Sequence, residues 1–398
     1  MNLIVSSLRD NGMLFQGKVR TSQDPKSYGE GDWEYLDRSG RVEAQRVRAF
    51  LNHWVSQYPA SDRDELISRI ASRDDRNFDS ATFELVLFAL MQSLGCSITV
   101  HPGLGTKNSS HPDFLVVTPN EETVYIEAVL ASEYSEADIS GKKRTDAVLT
   151  AIEKIDSPNF FLAVGADGHP DVPPNAKTLR SDLERWLASL DPDLVAREMS
   201  QGKPACQPKI EWENEGWHIT FWAIPKNPEN RGKRQRVIGA LVGRTRFVNA
   251  WEPIRDAVKN KGKRYGRLIS PFIVAVNVDA LAVDALDEKR GLFGEGEHVF
   301  RKRDACVPPH TLRRPEGAWT GPNGPQYTRV SGAWLFRKLS PWNIASCVNT
   351  LYFNPWAMNA LPSLFTVPNH AKADSDTLQW VSGRSLVDIL GLPPRWPE

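Results

Sequence analysis

The chain has 398 residues, with 49 Lys and Arg balancing 49 Asp and Glu, so its formal net charge is zero. Hydrophobic residues make up 40% and charged residues 25%, the balance of a globular protein long enough for two or three domains. Those numbers exclude a disordered chain and a uniformly basic nucleic-acid coat.

In chain order, the first thirty residues are polar and are expected to be loosely ordered. From Val42, the residues Val47, Phe50, Leu51, Trp54, Val55 and Tyr58 recur at helical spacing until Pro59 stops the run. Asp62 is expected to cap a short helix carrying Leu66 and Ile70. A third helix, starting at Asp79 or Ser80, places Phe83, Leu87, Leu90, Met91 and Leu94 on one face and ends at Gly95. The period then changes: Cys96 to His101, His111 to Thr118 and Thr123 to Leu130 read as strands, the last two joined by a turn at Pro119 to Glu122. Lys142 to Ile155 reads as a helix, and Asn159 to Val164 as a buried strand.

A Gly- and Pro-rich loop over 165–175 leads into a helix carrying Leu179, Leu183, Trp186, Leu187 and Leu190. Strands follow at Trp217 to Ile224 and Val237 to Val242, a helix at Trp251 to Lys263 and a strand at Phe272 to Val278. Beyond Val299 the chain is rich in Pro, Gly and Trp, with short strands expected only near Arg329 to Phe336 and Thr350 to Asn354. The expected division is a helical region over 1–75, an α/β core over 76–200, a basic α/β region over 201–298 and an irregular region over 299–398 that serves as a cap or partner surface.

Several features bound the setting. No positive leader precedes a long apolar core, so no signal peptide is expected. The longest apolar run, Leu85 to Met91, falls far short of the roughly 20 residues that span a bilayer. Cys96, Cys206, Cys306 and Cys347 are scattered without a CxxC pair, as suits free thiols in a reducing cytoplasm. Cys306 and His310 have the spacing of half a zinc site, with no second pair nearby to complete four ligands.

The strongest chemical signal is carboxylate. A hairpin centred on Asn120 sets Asp113 opposite Glu127 on one face, with Cβ atoms about 4.5–5.5 Å apart. Two acids that close repel unless a cation sits between them or one takes a proton. A hard divalent ion such as Mg²⁺ suits the pair, and Glu84 on the preceding helix offers a further oxygen. No Lys or Arg occurs from Asn108 to Gly141. The plainer alternative is an edge strand whose acids face water.

The run Phe83-Glu84-Leu85, then His111-Pro112-Asp113-Phe114-Leu115 and Val124-Tyr125-Ile126-Glu127-Ala128, resembles the PD-(D/E)XK nuclease superfamily over about residues 79 to 165. The resemblance implies a restriction-endonuclease-like mixed sheet flanked by helices, binding Mg²⁺ or Mn²⁺ through Asp113, Glu127 and Glu84 and cutting phosphodiester bonds. It implies nucleic acid as substrate, DNA in the first instance, with a role in restriction or defence against mobile elements. A homo-oligomer or a defence-system partner protein fits the same picture. The family lysine belongs two residues after the second acid, where this chain has Val129. Lys142 and Lys143, with Arg144, open the next helix as stand-ins, and Lys107 is another. The alternative is a catalytically degenerate fold serving as a nucleic-acid-binding or protein-adaptor module.

Lys226 to Arg267 holds thirteen Lys and Arg against three acids, an excess suited to holding phosphates. Without the carboxylates it would read as a solvated face. Gly103-Leu104-Gly105-Thr106-Lys107 lacks phosphate-loop spacing. His111 fits the turn before proline or reaches the scissile phosphate, and the Trp-rich tail reads as core and interface.

Overall fold

Two self-contained units emerge in the computed structural model, which describes residues 13–104, 111–201, 207–233, 235–242, 249–266, 268–280, 282–299, 310–374 and 377–398. Unit 1 comprises 1–24, 31–133 and 248–398; unit 2 comprises 25–30 and 134–247. The expected core over 76–200 is thus divided between the units, as is the expected basic region.

Unit 1 begins with four helices: α1 (Asp32–Arg38), α2 (Val42–Gln57), α3 (Ala60–Ile70) and α4 (Asp75–Ser93). The side chain of Asp74 accepts from the Arg76 N–H, so α4 starts a turn earlier than its apolar spacing indicates. α3 likewise begins at Ala60 rather than being capped by Asp62. Beyond α4, Gly95 at φ +83° turns the chain where a side chain would be strained. The strands β1 (Ser97–Val100), β2 (Phe114–Val117) and β3 (Thr123–Ser132) then run antiparallel. The expected looseness of the N-terminal stretch fails at Leu14 and Phe15, which are buried in the main core, with both backbone groups of Phe15 bonded to the Asn52 amide. Residues 1–12 lie outside the described residues.

Unit 2 opens with α5 (Glu136–Ile152), whose Ser135 and Asp138 form a capping box that starts it six residues before the expected Lys142. It continues through β4 (Phe160–Asp167), α6 (Ala176–Ala188), α7 (Pro192–Ser200), β5 (Lys209–Asn214), β6 (Trp217–Pro225) and β7 (Ile238–Val242). The sheet order is β5-β6-β4-β7. One face, carrying Leu162, Val164, Ile219 and Phe221, packs on Val148, Ile152, Leu183 and Val195 of the helices. β6 alternates buried and more exposed residues, the pattern of a sheet covered on one side.

The rest of the chain completes unit 1: α8 (Trp251–Arg264), β8 (Phe272–Asp279), α9 (Ala285–Phe293), the pair β9 (Gly296–Val299) and β10 (His310–Arg313), and the short pair β11 (Thr320–Gly321) and β12 (Gly324–Pro325). Then come β13 (Gly332–Arg337), β14 (Asn349–Phe353), β15 (His370–Asp374), β16 (Thr377–Val381) and α10 (Leu386–Leu390). Eight strands form one mixed sheet in the order β1-β2-β3-β8-β13-β14-β15-β16. The segment expected to be an irregular cap therefore supplies half of the main sheet. The strand expected at 159–164 belongs instead to the sheet of unit 2, and β3 pairs in parallel with β8.

Alternation along the central strands explains the layers. Ile273, Ala275, Trp334 and Phe336 face α1–α4 and α10, while Val274, Val276, Ala333 and Leu335 face α8 and α9. β8 is buried along almost its whole length because both faces are covered, which is why it reads as the apolar run Phe272 to Val278. No described helix is long and apolar enough to cross a membrane.

Candidate active site

The expected hairpin register is present: Phe114 pairs with Ile126 and Val117 with Thr123, and one step further places Asp113 opposite Glu127. Since Val124 and Ile126 face α4, alternation turns Glu127 with Val129 and Ala131 toward α8. Glu127 is 2% exposed, so its charge requires partners. Both come from α8 and the residue that follows it. The Lys261 ammonium donates to Oε1, and the Tyr265 hydroxyl, one helical turn on, donates to Oε2 at 2.5 Å. The Arg264 guanidinium stands 3.6 Å from Oε1.

Glu84 is buried on α4 and anchored as fully: the Tyr58 hydroxyl donates at 2.5 Å and Arg69 at 2.7 Å, one to each oxygen. Asp113 differs. Its Oδ2 accepts from the Ala128 N–H at 2.6 Å, and its other oxygen has no hydrogen-bond partner among the described residues. Burial, then the negative charges of Glu127 and Glu84, push its carboxyl up to about 7, against the pull of the Ala128 N–H and Lys261. Burial and the neighbouring carboxylates also raise the Tyr58 and Tyr265 phenols, which therefore remain donors. At the approach to β2, the His101 N–H donates to the Asp113 carbonyl at 2.9 Å. The His101 ring contacts Asp62 at 3.0 Å and lies 4.8 Å from the exposed His111 ring.

Of the residues singled out in the sequence, Asp113 and Glu127 are thus brought together, with Glu84 close enough for its charge to act on Asp113. The cation on Glu127 is Lys261. Lys142 instead ion-pairs with Asp146 on its own helix, and it and Lys143 belong to unit 2. Lys107 and Cys306 lie outside the described residues, as does the side chain of His310. Val129, two residues after Glu127, packs against the apolar layer under α8. Lys261, Arg264, Tyr265, Tyr58 and Arg69 carry no local motif. The sole sequence signal for the first three was the basic segment, and the pairing that gives it meaning joins residues 134 and 138 positions apart. That segment is not uniformly a surface: Lys226 is buried in unit 2, donating to the Ser157 and Lys233 carbonyls.

Among the described residues, no group of three or more His, Cys, Asp and Glu side chains is arranged to hold a metal ion. A two-carboxylate site is a different case, since Mg²⁺ is commonly held by one or two carboxylates with water completing its shell. Asp113 retains a free oxygen, and Glu127 uses two of about four lone-pair positions. Those two residues fit such an ion, whereas Glu84 is committed to Tyr58 and Arg69. Protein-family models, curated proteins and solved structures yield no match to this chain.

Proposed function

We propose that unit 1 is a divalent-metal-dependent nuclease that hydrolyses phosphodiester bonds in nucleic acid, with DNA as the first substrate to test. The observation that supports this most is the Lys261 ammonium on Glu127, beside an Asp113 whose charge is destabilised by burial and two neighbouring acids. In this reading the lysine of the PD-(D/E)XK pattern is supplied by Lys261 on α8 instead of from position 129.

In this reading Asp113 and Glu127 hold Mg²⁺ or Mn²⁺, which when bound supplies an activated water and neutralises charge on the phosphate. Lys261 orients Glu127 and offers positive charge where the phosphate gains negative charge in the transition state. Tyr265 fixes the second oxygen of Glu127. Arg69 and Tyr58 hold Glu84 in place on the α4 side of the pair.

The experiment is cleavage of plasmid, linear duplex and single-stranded substrates in Mg²⁺, Mn²⁺ or EDTA, beside Glu127→Ala. Metal-dependent cleavage by the parent, lost in the variant, is the expected result. Cleavage that survives Glu127→Ala contradicts the reading. Salt-sensitive binding without cleavage in either metal favours the adaptor alternative, whose structural support is that Glu127 and Glu84 are already satisfied by protein groups.

A further inference from the structure

Arg264 has no task that the structure assigns to it fully. Lys261 and Tyr265 occupy both oxygens of Glu127 at hydrogen-bond distance, while Arg264 stands off at 3.6 Å, an ion pair without a hydrogen bond. Its side chain is 48% exposed, against 2% for Glu127 and 21% for Lys261. The guanidinium therefore sits where the buried carboxylate site meets solvent. Its ring neighbour is Tyr265, with the guanidinium carbon 5.7 Å from the ring centroid. The neighbouring Lys263 is also exposed, and its amine lies 5.6 Å from the Tyr327 ring.

A cation at the end of a helix gains from the helix dipole, but about 0.3–1 kcal/mol at most sites, and Lys261 and Lys263 in the same turn already supply that charge. A planar five-donor fork adds what an ammonium lacks: two parallel bonds to the oxygens of one phosphate. We propose that Arg264 is the phosphate clamp of this site, binding the non-bridging oxygens of a substrate phosphodiester at the mouth of the Asp113–Glu127 pair. The assignment rests on the nuclease reading and deepens it by naming the residue that grips the substrate backbone. Lys261 remains turned inward on Glu127, and Arg264 faces the incoming strand.

The test compares parent, R264K and R264M on a labelled oligonucleotide, as duplex and as single strand. Affinity is measured in EDTA by fluorescence anisotropy across a salt series, and KM and kcat are measured in Mg²⁺. R264M is expected to weaken binding and raise KM by about ten- to a hundredfold, the loss of one charge-assisted bidentate contact. The slope of log affinity against log salt should fall by about 0.7–0.9, and kcat and the melting temperature should change little. R264K, which keeps the charge and loses the fork, should recover the salt slope but only part of the affinity. A role in the helix dipole alone would leave KM unmoved in both variants. If the parent binds and cleaves while R264M and R264K match it in KM, the clamp is refuted and the nuclease reading stands. If the parent neither binds nor cleaves, the nuclease reading itself falls, and the clamp with it.

Discussion

Glu127 illustrates how a single buried charge organises its surroundings. With 2% of its surface exposed, it is stable only while Lys261 and Tyr265 remain on its oxygens. Lys261→Met should therefore cost about 3–5 kcal/mol in urea unfolding, the penalty for stranding a buried charge. Adding Glu127→Gln to that variant should recover much of the loss, giving a coupling energy of at least about 1 kcal/mol in the double-mutant cycle. Additive losses would show that the pair is not coupled. Asp113 makes the opposite prediction, because folding raises its carboxyl from an ordinary 3.8 to about 7. A carboxyl raised on folding holds its proton more tightly in the native state, so its stabilising contribution is full below about pH 4 and is lost as pH climbs toward 7. Asp113→Asn removes that loss. Melting temperatures measured from pH 4 to 8 should show the variant gaining on the parent as pH rises, and a constant difference would contradict the assignment.

At the scale of elements, the site depends on how α8 is seated against β3. The adjoining helix α9 packs closely enough that a Cβ on Gly291 would lie 2.9 Å from the Trp251 carbonyl and 3.0 Å from a methyl of Ile254. Gly291→Ala gains about 1 kcal/mol of helix propensity, but the clash is with backbone, which cannot rotate away. Overpacking of that kind typically costs about 1–3 kcal/mol. The variant should melt lower than the parent, and because the contact is at the start of α8, cleavage should fall as well. A higher melting temperature would show that the helices part at no cost. This scale also marks what the sequence could convey. The register of β2 on β3 was legible because turn length and alternation are local, and so were α2 and α8. The placement of β4 was not, because an apolar strand carries no record of the sheet it joins. Nor was the source of the lysine, since Lys261 meets Glu127 only through the packing of a helix on a distant strand.

For the whole molecule, the main sheet is built from segments on both sides of residues 134–247, and the segment from Gly332 onward contributes four of its eight strands. Its Pro-, Gly- and Trp-rich composition concealed this: Trp334 is a wholly buried core residue, and the prolines fall largely in the connections. Truncation at residue 330 strips β13 from β8 and should leave an insoluble or unfolded product, as measured by circular dichroism. A soluble fragment that melts cooperatively would contradict that dependence. The balanced charge likewise conceals its distribution, since Glu127, from a stretch without Lys or Arg, meets the cations of α8. The proposal that this meeting point hydrolyses nucleic acid requires both Asp113 and Lys261. It is tested most directly by initial rates of DNA cleavage in Mg²⁺ for the parent, Asp113→Asn and Lys261→Met, at a temperature where all three are folded. The account predicts metal-dependent cleavage by the parent and a loss of about a hundredfold or more in each variant. Cleavage by either variant within a few-fold of the parent would contradict it.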